Sequence, residues 1–198
     1  REKPWTLISD GLGPMQPGGR MVLAAGVYDE GVLLGKSVSL VGRCSSMVTI
    51  AGTRNGPVGP TVVEVKGNVD VGISDVTVSG PGFGMTVHSG ARLDLERASL
   101  SKNRRGGLVA ILAGTSVTAR DVTVARTQPE ANGTWGRGIV VEEGAHLTLE
   151  RVVVTDNHEV GLSVAHAGTT VTATEVLIAR TQSEADGTAG RGIVAQLG

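Results

Sequence analysis

Apolar and polar residues alternate in short runs along most of the chain, a pattern typical of β-strands that bury one face. The runs Val38-Ser39-Leu40, Val48-Thr49-Ile50 and Val63-Glu64-Val65 show this alternation clearly. Residues 21–27 and 32–34 are also rich in Val, Leu and Ala, and we predict strands there as well. Glycines between the runs mark turns, so the chain is predicted to be a succession of short strands.

Near the start of the chain the period changes from two to that of a helix. Trp5, Ile8 and Leu12 recur at helical intervals, and Pro14 stops any continuation. A stack of strands leaves its first layer open to water, and a small amphipathic helix would cover it. Residues 4–13 are therefore predicted to form an N-terminal helical cap.

The second half of the chain contains one unit twice, at residues 90–143 and again at residues 144–197, a period of 54 residues. A fixed period of this kind indicates a repeat architecture in which each unit stacks on the previous one. Glycines divide the region into coils of 23, 24, 30, 24 and 30 residues, so each unit is a short coil followed by a long one; these glycines are Gly67, Gly90, Gly114, Gly144, Gly168 and Gly198.

Each coil holds three alternating runs, and their apolar positions form six columns when the coils are aligned. Like side chains would stack on like at about 4.8 Å, as in a parallel β-helix. The columns are Val71, Leu93, Val117, Leu147, Val171; Ile73, Leu95, Ala119, Leu149, Ala173; Val76, Ala98, Val122, Val152, Val176; Val78, Leu100, Val124, Val154, Ile178; Met85, Leu108, Ile139, Leu162, Ile193; and Val87, Ala110, Val141, Val164, Ala195.

A leucine-rich repeat is the competing interpretation, because residues 95–103 and 149–157 imitate its consensus. That repeat would need helical turns after Asn103 and Asn157, yet residues 161–166 alternate with period two. We therefore predict an all-β, single-stranded parallel β-helix with three short strands per coil. It would be one domain over residues 1–198, with a cap at 1–20 and coils at 21–198.

The front of the chain resembles a known family. Residues 17–30, Pro-Gly-Gly-Arg-Met-Val-Leu-Ala-Ala-Gly-Val-Tyr-Asp-Glu, followed by Val38-Ser39-Leu40-Val41-Gly42, are similar to the opening of right-handed parallel β-helix proteins with the pectin-lyase-like fold. The resemblance implies a right-handed helix, in agreement with the general rule for parallel crossovers. It does not imply enzyme activity, because the paired aspartates of polygalacturonases and the downstream motifs of pectin methylesterases are missing from this sequence.

Composition excludes several classes of function. The net charge is −1 and only 2% of the residues are aromatic, so a nucleic-acid partner is not expected. No apolar run is long enough to cross a bilayer. Cys44 is the only cysteine, which rules out a disulfide framework within the chain and suggests a small buried filler. The chain starts at Arg1 and shows no charged-then-apolar leader, so we expect that any signal peptide has been removed or was never in this piece. We expect an extracellular or cell-surface protein.

The long coils owe their extra residues to the segment 125–138, which recurs as residues 179–192 with three differences. We call these segments the first loop and the second loop. One interpretation is structural, because Thr127 with Glu130, and Thr181 with Glu184, match a capping box that begins a helical turn. The other is a binding surface made of Arg126, Gln128, Glu130, Asn132, Trp135, Arg137, Arg180, Gln182, Glu184, Asp186 and Arg191.

The two loops would lie on one edge, with residues 156–159 between them. Asp156, Glu184 and Asp186, together with Glu130 and Asn132, would then offer oxygen ligands to Ca²⁺, although the spacing fits no defined calcium loop. No other cofactor is expected. The carboxylates could instead serve as an acid/base pair in glycoside or uronide chemistry, and this alternative stays open.

The histidines and Trp135 give weaker indications of a binding site than the repeated loops do. His88, His146, His158 and His166 fall at scattered phases of their coils, which favours solvated surface positions over a shared metal site. Trp135 could stack on a sugar, but Ala189 replaces it in the second loop. Asn103 and Asn157 recur once per unit, and we expect their side chains to bond to turn backbone.

These features lead to a non-catalytic scaffold that presents edge loops to a glycan or a surface protein, with a polysaccharide lyase or hydrolase as the alternative. Gly198 occupies the position that opens a new unit, so the last layer is expected to be uncovered. We therefore expect either a continuing segment or end-to-end association through this coil.

Overall fold

The computed structural model describes residues 5–52, 54–56, 59–184 and 186–196, and these residues are almost entirely β-strand. Residues 1–4 of the predicted cap and positions 197 and 198 at the end of the second unit lie outside the described residues. The elements are α1 Ile8–Leu12, β1 Gly19–Leu23, β2 Gly26–Tyr28, β3 Val32–Leu34, β4 Val38–Gly42, β5 Val48–Ile50, β6 Arg54–Gly56, β7 Gly59–Lys66, β8 Asp70–Ser74, β9 Thr77–Val78, β10 Phe83–His88, β11 Arg92–Glu96, β12 Ser99–Ser101, β13 Gly106–Ile111, β14 Ser116–Arg120, β15 Thr123–Ala125, β16 Arg137–Glu142, β17 His146–Thr155, β18 Val160–Ala165, β19 Thr170–Ala179 and β20 Arg191–Gln196.

The strands stack into three parallel faces, one strand of each coil per face. Face one runs β1, β4, β8, β11, β14 and into the first half of β17, and face two runs β2, β5, β9, β12, β15 and into its second half. β17 and β19 are long because each serves both faces in turn, and they pair along their whole length. Face three runs β3, β7, β10, β13, β16, β18 and β20, and β6 pairs antiparallel with β7 beside it.

The predicted columns are in register in the structure. The first column is joined pair by pair through β8, β11, β14, β17 and β19, and the column that starts at Met85 through β10, β13, β16, β18 and β20. The inward side chains form one continuous buried core from Leu23 to Leu162. The single-stranded parallel β-helix with three short strands per coil, predicted from the sequence, is confirmed.

The helix α1 covers the start of this core as predicted, although it is only five residues long. Ile8 and Leu12 join the core cluster. The Glu30 carboxylate accepts hydrogen bonds from the backbone N–H groups of Ile8 at 2.5 Å and Ser9 at 3.0 Å. Lys36 Nζ donates to carbonyls at the other end of the helix, so a charge of the favourable sign stands at each terminus.

Two local predictions were wrong. Residues 21–27 are not one strand, because β1 ends at Leu23 and β2 begins at Gly26, with a corner between them. The Ala24 carbonyl at this corner accepts the Tyr28 hydroxyl at 3.0 Å. Cys44 is exposed rather than buried, because it lies in the turn between β4 and β5, where its carbonyl accepts backbone bonds from Met47 and Val48.

The glycines that open the coils have left-handed backbone conformations. Gly67, Gly90, Gly114, Gly144 and Gly168 have φ between 80° and 85°. Glycine reaches this region without the steric penalty that other residues meet, which explains why the period of the chain can be seen in its glycines. The predicted coil boundaries within the described residues are therefore confirmed.

Charged residues occupy a second left-handed turn, between face one and face two. Asp75, Arg97, Asp121, Arg151 and Glu175 have φ between 47° and 61° in successive coils, and their charges alternate in sign. We call this row the charge ladder. Arg97 donates two hydrogen bonds to Asp75, at 2.8 and 2.9 Å, and Arg151 two to Asp121, at 2.7 and 2.9 Å. These bonds hold the pKa values of Asp75 and Asp121 below their usual range.

The two asparagines that recur once per unit bond to backbone, as predicted. Both are fully buried. Asn103 Nδ2 donates to the Val78 carbonyl at 3.1 Å. Asn157 makes two bonds, donating to the Val124 carbonyl at 3.0 Å and accepting the Thr127 N–H at 3.0 Å. Asn157 therefore holds the start of the first loop against the coil that follows it.

Candidate ligand-binding site

The first and second loops are turns held by their own backbone, and the predicted capping boxes are wrong. Neither loop contains a helical turn among its described residues. In the first loop Glu130 N–H donates to the Thr134 carbonyl at 2.8 Å, and Gly133 N–H donates to the Glu130 carbonyl at 2.9 Å. The Asn132 side chain accepts the Thr134 N–H at 3.1 Å, as in an Asx turn. This side chain closes the turn, so Glu130 is not needed as a cap.

The Glu130 carboxylate instead pairs with a residue of the preceding coil. Its Oε1 lies 2.6 Å from Arg105 Nε, and both side chains are partly buried. The geometry is that of an ion pair rather than an aligned hydrogen bond, since Arg105 Nε finds no aligned acceptor in the part of the chain that is described. Glu130 therefore connects the first loop to the coil on which it rests.

A pocket of about 320 Å³ lies where the first loop meets the outer side of face three. Strands β10, β13 and β16 supply its apolar floor. Val109, Ile111 and Val140 point outward and pack with Phe83 of β10 as a small cluster apart from the main core. Trp135 forms a wall, with its ring perpendicular to that of Phe83 at 6.4 Å. We call this site the Trp135 pocket. Its lining residues are Phe83, Arg105, Val109, Ile111, Trp135, Arg137, Val140, Glu142 and Glu143.

Two guanidinium groups hold the Trp135 ring. The Arg137 guanidinium carbon lies 4.8 Å from the ring centroid and that of Arg105 5.5 Å, both within the range of cation–π attraction. Arg137 is itself fixed by Glu159, whose Oε1 accepts from its Nε at 2.9 Å. This hydrogen bond raises the pKa of Arg137, so the guanidinium stays charged. Trp135 is therefore positioned before any ligand arrives.

The acidic groups at the pocket outnumber the basic ones. Arg105 and Arg137 are offset by Glu130 and Glu159, and the lining adds Glu142 and Glu143. Arg137 lies 3.9 Å from Glu142, but Glu143 is exposed in the turn after β16. The pocket is thus apolar at its floor and mildly acidic at its rim.

The structure brings some of the predicted binding residues together and leaves others outside. Trp135 and Arg137 line the Trp135 pocket, and Glu130 and Asn132 shape the loop behind it. The other predicted residues are exposed or half-buried and are not among the residues that line this pocket; they are Arg126, Gln128, Arg180, Gln182, Glu184, Asp186 and Arg191.

Two of the residues considered for calcium, Asp156 and Asp186, have other partners. The Asp156 carboxylate accepts two hydrogen bonds from Arg180, at 2.6 and 2.8 Å, which lower its pKa to about 2. Asp186 accepts the Thr188 hydroxyl at 2.6 Å and its N–H at 2.8 Å, and these bonds lower its pKa as well. Within the residues that the structure describes, no group of three or more His, Cys, Asp or Glu side chains could hold a metal ion.

His88 is not a solvated surface residue, so that prediction was wrong. It faces outward from β10, yet only 4% of it is exposed. Its Nε2 lies 3.2 Å from the buried Glu64 Oε1, and its Nδ1 lies 2.8 Å from Ser89 Oγ. His158 is half-buried as well, with Nδ1 2.9 Å from the Thr127 carbonyl oxygen. The outer side of face three is therefore more enclosed than its alternating pattern indicates.

The apolar floor of the Trp135 pocket was not predicted from the sequence. The signal was present, since residues 108–111 and 139–141 are continuous apolar runs rather than alternating ones. Such runs indicate strands buried on both sides. The predicted columns contain only the inward members of these runs, and the outward members Val109, Ile111 and Val140 belong to none of them.

Comparisons with known proteins agree with the fold. A family model described as a right handed beta helix region matches residues 32–178. The solved structure of ORF18 of Geobacillus virus E2 is similar with a TM-score of 0.53 and 13% identity, over 80% of this chain and 33% of that one. This chain thus spans about a third of that protein's length. A comparison with curated proteins found no match.

Two further solved structures are more distant. Pectin methylesterase PemA from Erwinia chrysanthemi gives a TM-score of 0.41 at 10% identity, over 86% of this chain and 77% of that one. Pectate lyase Pel9A gives 0.40 at 14% identity, over 85% of this chain and 47% of that one. Among the described residues, no helix is long and apolar enough to span a membrane.

Proposed function

The chain belongs to the right-handed β-helix family, and on that premise we propose that it is a non-catalytic scaffold that binds a glycan in the Trp135 pocket. The scaffold would act outside the cell or at its surface, where glycans are accessible. The observation that carries the proposal is the combination of an apolar floor, a positioned tryptophan and a rim of charged side chains in one concave site.

The chemistry of the pocket suits a sugar ring. A sugar presents C–H faces, which can contact Val109, Val140 and the Trp135 wall, and hydroxyl groups, which can bond to Arg105 and Glu142. A volume of about 320 Å³ is at the small end of the range for ligand pockets. It is small for a protein partner, since stable protein interfaces bury about 1,200–2,000 Å² in total.

The acidic rim favours a neutral glycan over a polyuronide. The two arginines at the pocket are already offset by Glu130 and Glu159, so an added carboxylate would face Glu142 and Glu143. Because a sugar need not displace any of these ion pairs to bind, the pocket can keep its arrangement when occupied. Preorganisation of this kind supports affinity at a small site.

A catalytic role has less support. A general acid at neutral pH needs a carboxyl with a raised pKa. Among the residues that the structure describes, every aspartate and glutamate that shows a shift has a lowered pKa instead, and a hydrogen-bonded arginine or threonine is the main cause in each case; they are Asp75, Asp121, Glu150, Asp156 and Asp186. These carboxylates are suited to structural pairing rather than to proton transfer.

The test uses tryptophan fluorescence. Trp5 is 62% exposed and distant in sequence from the Trp135 pocket, so Trp5→Phe leaves Trp135 as a single reporter and serves as the matched control. We expect neutral oligosaccharides to change the emission of this variant, and Trp135→Ala to remove one glycan-binding site per chain in calorimetry. A wild-type protein that binds no glycan in the panel, or one that releases reducing ends or unsaturated uronides from it, would overturn the proposal.

A further inference from the structure

We propose that a second site lies on the outer side of face one, centred on Gly72, and that it binds a neutral oligosaccharide. The site is on a different face from the Trp135 pocket and does not depend on the function proposed above. Two adjoining hollows of about 360 and 370 Å³ meet there and share Ser39, Gly72 and Asp94. We call them together the Gly72 groove.

The missing side chain of Gly72 makes the groove. In the outward column of face one, Arg20, Ser39, Gly72, Asp94 and Thr118 are successive neighbours in register. Every other member of this column carries a side chain, so the sheet surface is lowest at Gly72. A Cβ added there would lie 3.3 Å from Ser39 Oγ, which shows that a side chain would fit with little displacement. Five strands lie along the groove, a length of about 19 Å at the usual strand spacing.

Glycine is an uncommon choice at this position for stability alone. Gly72 lies in the interior of β8, a central strand where β-branched residues pack better and where glycine loses more conformational freedom on folding. The backbone at Gly72 is not in the left-handed region, so no turn requires glycine. The regular pairing of Gly72 with Ser39 and Asp94 shows no bulge, and close approach of a ligand is a further common reason for a strand glycine.

The charges around the groove are balanced and interleaved. Arg20, Arg92 and Arg120 stand among three acidic residues, Asp70, Asp94 and Glu96. Arg92 lies 3.5 Å from Asp70, and Arg120 lies 3.4 Å from Asp94. An ionic ligand of either sign would therefore meet as many like charges as opposite ones.

A neutral polyol fits this arrangement, because neighbouring hydroxyl groups can accept from a guanidinium and donate to a carboxylate at once. Serine and threonine hydroxyls at Ser39, Ser74, Ser116 and Thr118 add further donors and acceptors along the lining. The residues lining the two hollows include no aromatic side chain. Recognition would therefore rest on hydrogen bonds along an extended ligand rather than on stacking of one ring.

The test is to fill the groove without weakening the strand. Gly72→Thr introduces the residue type found at Thr118 and Thr148 in the same outward column. Threonine has a high propensity for β-strands. The matched control is Thr148→Ala, which changes the same column outside the groove. Both variants are made in a Trp135→Ala background, so that the Trp135 pocket cannot contribute. Binding is measured by calorimetry and by amide chemical-shift changes with cellohexaose, hexagalacturonate and fully deacetylated chitohexaose.

We expect cellohexaose to bind with shifts at Ser39, Ser74 and Thr118, and the two charged hexamers to bind at least tenfold more weakly. Gly72→Thr should weaken cellohexaose binding at least tenfold while the melting temperature stays the same or rises, and Thr148→Ala should change the binding less than twofold. The inference is wrong if cellohexaose does not bind, if Gly72→Thr leaves its affinity intact, or if a charged hexamer binds more tightly.

Discussion

The first and second loops have matching backbone hydrogen bonds but present different surfaces. Gln128 N–H donates to the Asn103 carbonyl at 2.7 Å, and Gln182 N–H donates to the Asn157 carbonyl at 2.7 Å. The next turns also match, since the N–H of Thr134 bonds to the Asn132 side chain as Thr188 bonds to Asp186. Trp135 and Ala189 even share the left-handed conformation, with φ of 71° and 62°.

Besides three positions within the loops, the coil beneath each loop differs. Arg105 lies under the first loop and Glu159 under the second, and each carbonyl accepts two backbone bonds from the loop above it. The side chains then diverge, because Arg105 pairs with Glu130 whereas Glu159 pairs with Arg137 of the first loop. The two loop sequences form the same turn, whereas the pocket needs Arg105 of the preceding coil as well as Trp135, which Ala189 replaces in the second loop.

The largest expected effect concerns the asparagines that hold the two units. Asn157→Ala leaves the Val124 carbonyl and the Thr127 N–H buried without a partner, and we expect a loss of about 3 kcal/mol in the free energy of unfolding. Asn103→Ala removes one such bond and should cost about half as much. Urea unfolding measures both, and equal losses would show that the two units are not held differently at this point.

Trp135→Ala turns the first loop into a close copy of the second. It removes the contacts with Phe83, Arg105 and Arg137, and we expect a loss of about 2 kcal/mol in urea unfolding. The reverse change, Ala189→Trp, should not create a second binding site, because Glu159 rather than Arg105 lies beneath it. Sugar binding by Ala189→Trp in a Trp135→Ala background that exceeds the binding of Trp135→Ala alone would contradict the view that Arg105 of the preceding coil is needed.

Arg105→Glu tests the preceding coil directly. It places a carboxylate opposite Glu130 and withdraws a cation from Trp135, so we expect a loss of about 1–2 kcal/mol and weaker sugar binding. Arg105→Lys is the control, since it keeps the charge while losing the planar guanidinium. If Arg105→Glu binds as well as Arg105→Lys, the charge at this position is not part of the site.

The smallest expected effect is a pH dependence of the turn in the second loop. Exchanging Asp186 and Asn132 should transfer this pH dependence to the first loop. Hydrogen bonds from Thr188 lower the pKa of Asp186, so the stabilisation they give is present above the ordinary aspartate pKa and lost as the pH falls through the folded value. Asn132 does not titrate. We expect the Thr188 amide resonance to titrate in acid, the effect to vanish in Asp186→Asn, and the Thr134 amide to acquire it in Asn132→Asp. A Thr134 resonance that stays constant in Asn132→Asp would show that the two turns differ in solution.

The inward half of the fold could be predicted from the sequence. Leu93, Val117 and Leu147 stack because one apolar residue per coil must meet its neighbours, and the period shows where each coil begins. The stacking of the first coils was harder to predict, since their strands are spaced unevenly along the sequence. Gly19 pairs with Val38, and Val38 pairs with Val71. Uneven spacing hides a period even where the stacking is the same.

The Trp135 pocket could be predicted only in part. The candidate residues included Trp135, Arg137 and Glu130 because these lie in the loop that the sequence repeats. Phe83 and Arg105 were not, because they reach the site from earlier coils and nothing near them in sequence marks the contact. Contacts between coils depend on outward side chains, which a pattern of inward apolar residues does not report.

The charge ladder limits how such a chain can lengthen or shorten. If a single coil were deleted, Asp75 would come to lie beside Asp121, or Arg97 beside Arg151, and two like charges would meet in one turn. Removing or adding two coils preserves every opposite pair. The unit that this chain carries twice, residues 90–143 and 144–197, is two coils long. A duplication of this two-coil unit therefore keeps opposite charges side by side along the ladder, whereas a duplication of one coil would place two like charges together.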